Sequence, residues 1–276
     1  MILDGKVAAQ SYKEELKKEI AKLKEKNVFP KMAIIQILGD EASEAYLRSR
    51  QKLADELGVE IERVKLAEDV SQEALIAKIE ELNKDDKIQG IMLDRPLPKH
   101  LVENEVFISL AIEKDIDGCS PMSALKLNAG EKVLVSSTAQ AVVDLLDYYD
   151  IKIPERKITV IGRSKSVGAP LACLLRQRKA LVTVCHTQTE DLKGDCRSGE
   201  ILIVAMGKME YINTEYVTPS MTVVDVGMHR NAEGKLRGDV SRDVWAVVEN
   251  YSPVPGGVGP LTTVALFRNL IKAIRG

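Results

Sequence analysis

Histidine and cysteine are scarce, three and four respectively in 276 residues. Cys119, Cys173, Cys185 and Cys196 form no Cys-x-x-Cys pair, and two of them sit inside apolar runs, where a thiol behaves as a small hydrophobe. That usage fits a reducing cytoplasm. The histidines have no spacing that would hold zinc, so no metal is expected. No stretch approaches the ~20 apolar residues that span a bilayer, and the start, Met1 to Lys6, lacks the apolar core of a signal peptide. An excess of one charge is missing as well. A net charge of −2 supplies neither the basic field that nucleic acid needs nor a polybasic membrane signal. Nucleic acid and membrane are set aside, and small neutral or anionic molecules are the expected partners.

What is present is an ordinary globular composition, 45% hydrophobic and 29% charged, in a chain long enough for two domains. Leu16, Ile20 and Leu23 recur at helical spacing and predict an amphipathic helix over 12–24. Residues 32–38 read as a buried strand ended by Gly39-Asp40, 45–57 as a helix stopped by Gly58, and 59–66 as a strand. Leu75, Ile79 and Leu82 mark another helix, and 88–93 a third strand. After Asp117-Gly118 the signal fades until a helix over 139–149, and Pro154 resets the chain. Val/Ile-rich runs at 157–161, 181–185, 201–205 and 221–226, with a helix over 169–178, then imply a parallel sheet covered on both faces. The expected fold is α/β with two domains. An N-terminal αβα domain spans 1–138 and is completed by a C-terminal helix, 260–276; a Rossmann-like, doubly wound domain spans 139–259.

The strand at 157–161 runs into Gly162-Arg163-Ser164-Lys165-Ser166-Val167-Gly168 and then a helix, which is where a doubly wound sheet places pyrophosphate on a helix N-terminus. The spacing departs from G-x-G-x-x-G, so a purely structural turn stays open on that pattern alone. Where NAD enzymes carry an acidic residue about 20 positions on, the next strand ends Cys185-His186-Thr187, without a carboxylate. NADP is the better reading and NAD the alternative, with Arg163 and Thr187 available to a 2′-phosphate. His186 reads as a packed or capping residue within that group. Gly207 and Gly227, each just past a later strand, complete the candidate cofactor set. Farther on, Pro253-Val254-Pro255-Gly256-Gly257-Val258-Gly259-Pro260 puts three prolines and three glycines in eight residues, a stiff loop that admits close ligand approach.

Together with Lys114-Asp115-Ile116-Asp117-Gly118, these motifs resemble the methylenetetrahydrofolate dehydrogenase/cyclohydrolase family, essentially end to end. The resemblance implies a homodimer through the nucleotide domain, folate one-carbon derivatives bound between the domains, and hydride transfer from methylenetetrahydrofolate to NADP. The methenyl product is then hydrated by the cyclohydrolase. It also implies that Tyr46 stacks on the pterin, that Asp117 anchors it, and that Pro255, Gly256 and Gly257 contribute to substrate binding.

The chain departs from the family at the folate pocket. Arg50 stands where the family has its catalytic lysine, and Asp94 where it has the glutamine that positions that lysine. Ser120-Pro121 replaces a His-Pro pair, and Ser136-Ser137-Thr138-Ala139 replaces Pro-Cys-Thr-Pro. Arginine stays protonated in proteins and cannot act as a general base. The expectation is a dehydrogenase with catalytic-site residues Tyr46, Arg50, Asp94 and Asp117 and with cyclohydrolase activity weakened or lost. Two alternatives remain open, a dinucleotide enzyme acting on another small substrate and a catalytically silent paralogue that binds nucleotide or pterin.

Overall fold

A computed structural model describes residues 1–37 and 41–276. By its internal contacts the chain divides into two units, Met1–Ser11 with Thr138–Val264, and Tyr12–Ser137 with Ala265–Gly276. In chain order the elements are α1 (Gly5–Lys24), β1 (Lys31–Ile37), α2 (Glu41–Leu57), β2 (Glu60–Leu66), α3 (Gln72–Lys84), β3 (Gly90–Leu93), α4 (Glu103–Ile108), α5 (Pro121–Asn128) and α6 (Ser137–Tyr148). They continue with β4 (Lys157–Ile161), α7 (Gly168–Gln177), β5 (Leu181–Cys185), α8 (Leu192–Ser198), β6 (Ile201–Val204), β7 (Thr222–Asp225), β8 (His229–Arg230), β9 (Leu236–Arg237), β10 (Asn250–Ser252) and α9 (Val258–Arg275).

The 12–137 unit is built on a parallel sheet of order β2-β1-β3, with Ile35 opposite both Val64 and Leu93. Every residue of β3 is buried. One face of β1, carrying Ala33, Ile35 and Ile37, packs with Leu75, Ile79 and Leu82 of α3, the three residues whose spacing marks that helix in the sequence. Ser71 caps α3 by accepting from Ala74 N. Leu38, Gly39 and Asp40, read above as the end of the first strand, lie outside the described residues.

The other unit holds a five-stranded, wholly parallel sheet of order β10-β7-β6-β4-β5. Counted from β4, this is the doubly wound order 2-1-3-4-5, and its switch point falls between β4 and β6. Strands β6 and β7 are buried at every position, as continuous Val/Ile runs require when helices cover both faces.

The differences from the sequence reading have local causes. Helix α1 begins at Gly5, seven residues before Tyr12, because Asp4 Oδ1 accepts from Lys6 N at 2.8 Å and from Val7 N at 3.4 Å and so closes its first turn. The faded stretch after Gly118 contains α5, opened by Ser120 as cap and Pro121 as first helical residue. In the 12–137 unit α9 is tied down by Asn269, which is 1% exposed and donates from Nδ2 to the carbonyls of Ile116 (2.9 Å) and Val135 (2.8 Å). Asn269→Ala leaves two carbonyls without their partner and is expected to cost about 2–4 kcal/mol, read from the midpoint of urea unfolding.

Candidate functional site

In the 12–137 unit, α2 carries Tyr46 and Arg50 one turn apart, with the Arg50 guanidinium carbon 5.9 Å from the centre of the Tyr46 ring. Asp94 follows β3 directly, and its Oδ1 accepts from Arg50 Nη1 at 2.9 Å. Both side chains are mostly withdrawn from water, 15% and 13% exposed. The second carboxylate oxygen, Asp94 Oδ2, is buried with no hydrogen-bond partner among the described residues. Burial raises the Asp94 pKa above the ordinary carboxylate range, against the pull of the Arg50 charge. Lys52, two residues past Arg50, is exposed, and its charge bears on Glu56 instead.

The segment 114–118 positions the next member. Lys114 Nζ donates to the carbonyls of Leu82, Asn83 and Asp85 at 3.2, 2.7 and 2.8 Å and so closes the end of α3. Asp115, 1% exposed, accepts from Cys119 N, Ser120 N and the Ser123 hydroxyl. With its neighbours fixed in this way, Asp117 faces the cavity, of about 190 Å³, that Tyr46, Arg50 and Asp94 also line. Arg95 joins the group, a residue without a role in the sequence reading. Its Nη2 donates to Cys119 Sγ at 3.0 Å and lies 3.8 Å from Asp117 Oδ2, which the Cys119 thiol contacts at 3.2 Å. Burial pushes the Cys119 thiol up. Ser120, where the family resemblance places a histidine, accepts from Met122 N as a helix cap.

The second group lies in the five-stranded unit. Gly162 ends β4 with φ +115°, and a Cβ there would stand 2.1 Å from the Ala205 carbonyl oxygen beyond β6. The β4 turn and the β6 turn thus meet at the switch point, where α/β sheets bind ligands. Gly168 opens α7, and a Cβ on it would meet the Gly162 oxygen at 2.0 Å. Between them the Ser164 hydroxyl accepts from Val167 N at 3.2 Å, with Arg163, Lys165 and Ser166 on the same turn. At the tip of β5, His186 Nδ1 accepts from Gln188 N, and His186 N donates to the Thr189 hydroxyl. Arg163 reaches this tip through Gln188, Nη2 to Oε1 at 3.4 Å, beside the exposed Thr187. Gly207 and Gly227 follow β6 and β7. Pro255, Gly256 and Gly257 belong to this unit too, in a turn where Gly257 N donates to Pro253 O and Gly5 N to Gly256 O, both at 2.7 Å.

Two further residues escaped the sequence reading, the buried aspartates Asp225 and Asp239, which share this end of the sheet with His229. The one signal for them is an aspartate closing an otherwise apolar strand ahead of a glycine, Val224-Asp225-Val226-Gly227. Among the described residues no group of three or more His, Cys, Asp or Glu side chains could hold a metal ion, and no helix is long and apolar enough to cross a membrane.

A doubly wound parallel sheet with a glycine turn at its switch point defines a dinucleotide-binding α/β protein. The chain belongs to the tetrahydrofolate dehydrogenase/cyclohydrolase family: the model of that family's catalytic domain matches residues 3–117, and that of its NAD(P)-binding domain residues 136–276. It is 40% identical to the bifunctional protein FolD of Exiguobacterium sibiricum, over 100% of this chain and 99% of that protein. Among solved structures it is similar to the bifunctional FolD methylenetetrahydrofolate dehydrogenase/cyclohydrolase of Campylobacter jejuni, with TM-score 0.97, 35% identity, and coverage of 100% of this chain and 98% of that one. The Trypanosoma brucei dehydrogenase-cyclohydrolase, complexed with NADP cofactor and an inhibitor, matches with TM-score 0.93, 30% identity, and coverage of 100% and 97%.

The Gly162 contact generates a direct test. Gly162→Ala combines an unfavourable φ with a clash against backbone, and is expected to destabilise the protein by at least about 2 kcal/mol, read by urea unfolding.

Proposed function

We propose that the protein oxidises methylenetetrahydrofolate to methenyltetrahydrofolate by hydride transfer to NADP, and that its methenyltetrahydrofolate cyclohydrolase activity is weakened or lost. The observation that carries the second half is the ion pair of Arg50 with Asp94, in the positions where the family has its lysine and glutamine.

NADP fits the five-stranded unit, because Gly162 and Gly168, where a Cβ would strike main chain, let the β4 turn close tightly onto the β6 turn and the start of α7 at the switch point. The turn from Gly162 to Gly168, including Arg163, Ser164, Ser166 and Val167, would hold the phosphates at the start of α7. Arg163 and Thr187, brought to one place at the tip of β5, suit a 2′-phosphate. NADP supplies the hydride acceptor. The chain's own residues bind and orient the folate and favour the cation that forms: Tyr46 offers a ring to the pterin, Asp117 a carboxylate to its polar edge, and Asp94 a negative charge. Hydration of the methenyl carbon needs a proton acceptor, which Arg50 cannot be.

The domains of this reading are a folate domain, 1–138 with 260–276, and a nucleotide domain, 139–259. The protein acts as a cytoplasmic homodimer. Support for the compartment is that all four cysteines are free, with the Cys185 and Cys196 thiols pushed up to about 11 and about 12 by burial. Support for the dimer is that β5 is an edge strand that leaves Leu181 60% exposed, a row a second copy would cover.

Two measurements test this. With purified protein, methenyl formation from methylenetetrahydrofolate and NADP is expected to exceed hydrolysis of added methenyltetrahydrofolate by at least about tenfold, and Arg50→Lys with Asp94→Gln is expected to raise the hydrolysis roughly a hundredfold. Equal turnover in both assays would defeat the weakened-cyclohydrolase reading, and activity in neither would select another substrate or a silent binding protein. The pH profile follows from the sign of the Asp94 shift. A raised pKa means that acid removes the carboxylate charge at a higher pH than usual, so dehydrogenase kcat is expected to fall on the acid side, and Asp94→Asn to lower kcat and flatten that limb.

A further inference from the structure

At the carboxyl ends of β6 and β7 two aspartates stand side by side. Asp239 has no exposed surface, and its Oδ2 accepts from Met206 N at 2.7 Å and Gly207 N at 3.0 Å. Its Oδ1 is hydrogen-bonded to His229 Nε2 at 2.7 Å. Asp225, 3% exposed, accepts from Gly227 N at 2.9 Å and from Asp239 N and Val240 N at 3.0 Å each. Asp225 therefore holds the backbone of Asp239, Asp239 holds the turn after β6, and His229, its side chain 24% exposed, closes the outer end. Space for this is made by two glycines. A Cβ on Gly227 would lie 2.4 Å from Asp239 Cγ, and one on Gly238 would lie 1.7 Å from Asp225 Oδ2.

Such a cluster opposes stability unless something is gained from it. Burial, with the Asp239 charge adding, pushes Asp225 up to about 7. A turn after a strand needs a single Asx-type bond, whereas this one uses two carboxylates, five backbone N–H groups and an imidazole. The turn it fixes is the one at the switch point, since the Ala205 oxygen lies against Gly162. In a planar trans peptide the N–H and C=O point opposite ways. With Met206 N and Gly207 N turned onto Asp239, the carbonyls of Ala205 and Met206 face away from it, the first of them towards Gly162.

We propose that Asp239, backed by Asp225 and held by His229, is a positioning residue for the carboxamide-bearing half of the dinucleotide: it fixes the peptides that carry Met206 N and Gly207 N, and so presents the Met206 carbonyl as an acceptor beside the phosphate turn. This rests on the reading that the crevice takes NADP. Both the adenine amine and the carboxamide amine can donate to carbonyls, but Arg163 and Thr187 assign the 2′-phosphate, and with it the adenosine half, to the tip of β5, which leaves the carboxamide half for this edge.

The experiment compares the full-length wild type with His229→Ala, His229→Gln and Asp239→Asn. Three quantities are read: the Kd for NADP by calorimetry, KM for NADP against KM for the folate substrate, and hydrogen exchange of the Met206 and Gly207 amides without ligand. The glutamine keeps a donor for Asp239 and the alanine does not. The expected result is a Kd and KM for NADP raised about tenfold in His229→Ala and Asp239→Asn, a smaller change in folate KM, faster exchange of the two amides, and recovery to within about threefold in His229→Gln. Unchanged NADP affinity in His229→Ala, or equal loss in the Ala and Gln variants, overturns the proposal. Should Asp239→Asn not fold, the His229 pair decides alone. A wild type that binds no NADP would overturn the functional reading and this inference together, whereas normal wild-type binding with indifferent variants would overturn only the inference.

Discussion

Parallel strands covered on both faces leave little room for charged or unpaired polar side chains along their length, and this constraint decides where chemistry can occur. Strands β3, β6 and β7 are buried at every position. In a parallel sheet each connection must return the chain to the amino end of the following strand, so the loops at the carboxyl ends are the ones free to vary. Asp94 leaves β3, Gly162 leaves β4, His186 leaves β5, Met206 leaves β6, and Asp225 closes β7. Both units thus put their candidate site residues on strand ends by the same packing logic, although their sheets have three and five strands.

The Arg50 and Asp94 pair joins a fixed cation to a carboxylate in a site largely withdrawn from water. A lysine with an amide partner can give up its proton when burial lowers its pKa, while arginine under the same burial keeps its charge. The carboxylate at 94 compensates that fixed charge, and the two remain joined in a site only 13–15% exposed. Arginine offers no group that accepts a proton near neutral pH, whereas a connected ion pair can in principle orient a ligand and favour a cation. Arg95, with Cys119 and Asp117, repeats the pattern across the cavity. Apart from Asp94 Oδ2, which is buried without a partner among the described residues, the charged groups there are engaged with each other, so a ligand must match an established arrangement.

Strands β1 and β3, and helices α2 and α3, are legible in the sequence because a continuous apolar run or a repeat of three to four leaves few alternatives. The β4-to-α7 turn is legible from its place after such a run. Other features are carried by single polar side chains whose partners are backbone groups. Asp4 extends α1 by two turns, and Ser120 opens α5, yet neither residue differs from an ordinary loop residue until its acceptor oxygen has found its N–H groups. Asp225 and Asp239 are 14 residues apart and meet through N–H groups, which no residue pattern records. Arg95 and Cys119 are 24 residues apart and are joined only by the return of the chain to β3.

The departure from the dinucleotide fingerprint has a physical account. In G-x-G-x-x-G the middle glycine lets the backbone approach the pyrophosphate. Here that place is taken by Ser164, whose hydroxyl accepts from Val167 N and closes the turn from within. Gly162 keeps its role by packing on the Ala205 carbonyl, and the close packing of the third glycine, whose place is taken by Val167, is supplied one residue later by Gly168 against Gly162. A serine tolerates the middle position because the turn needs a local acceptor there more than it needs bare backbone, while the flanking positions touch main chain, which cannot move aside. The motif scores poorly as a pattern and still satisfies the contacts that give the pattern its meaning.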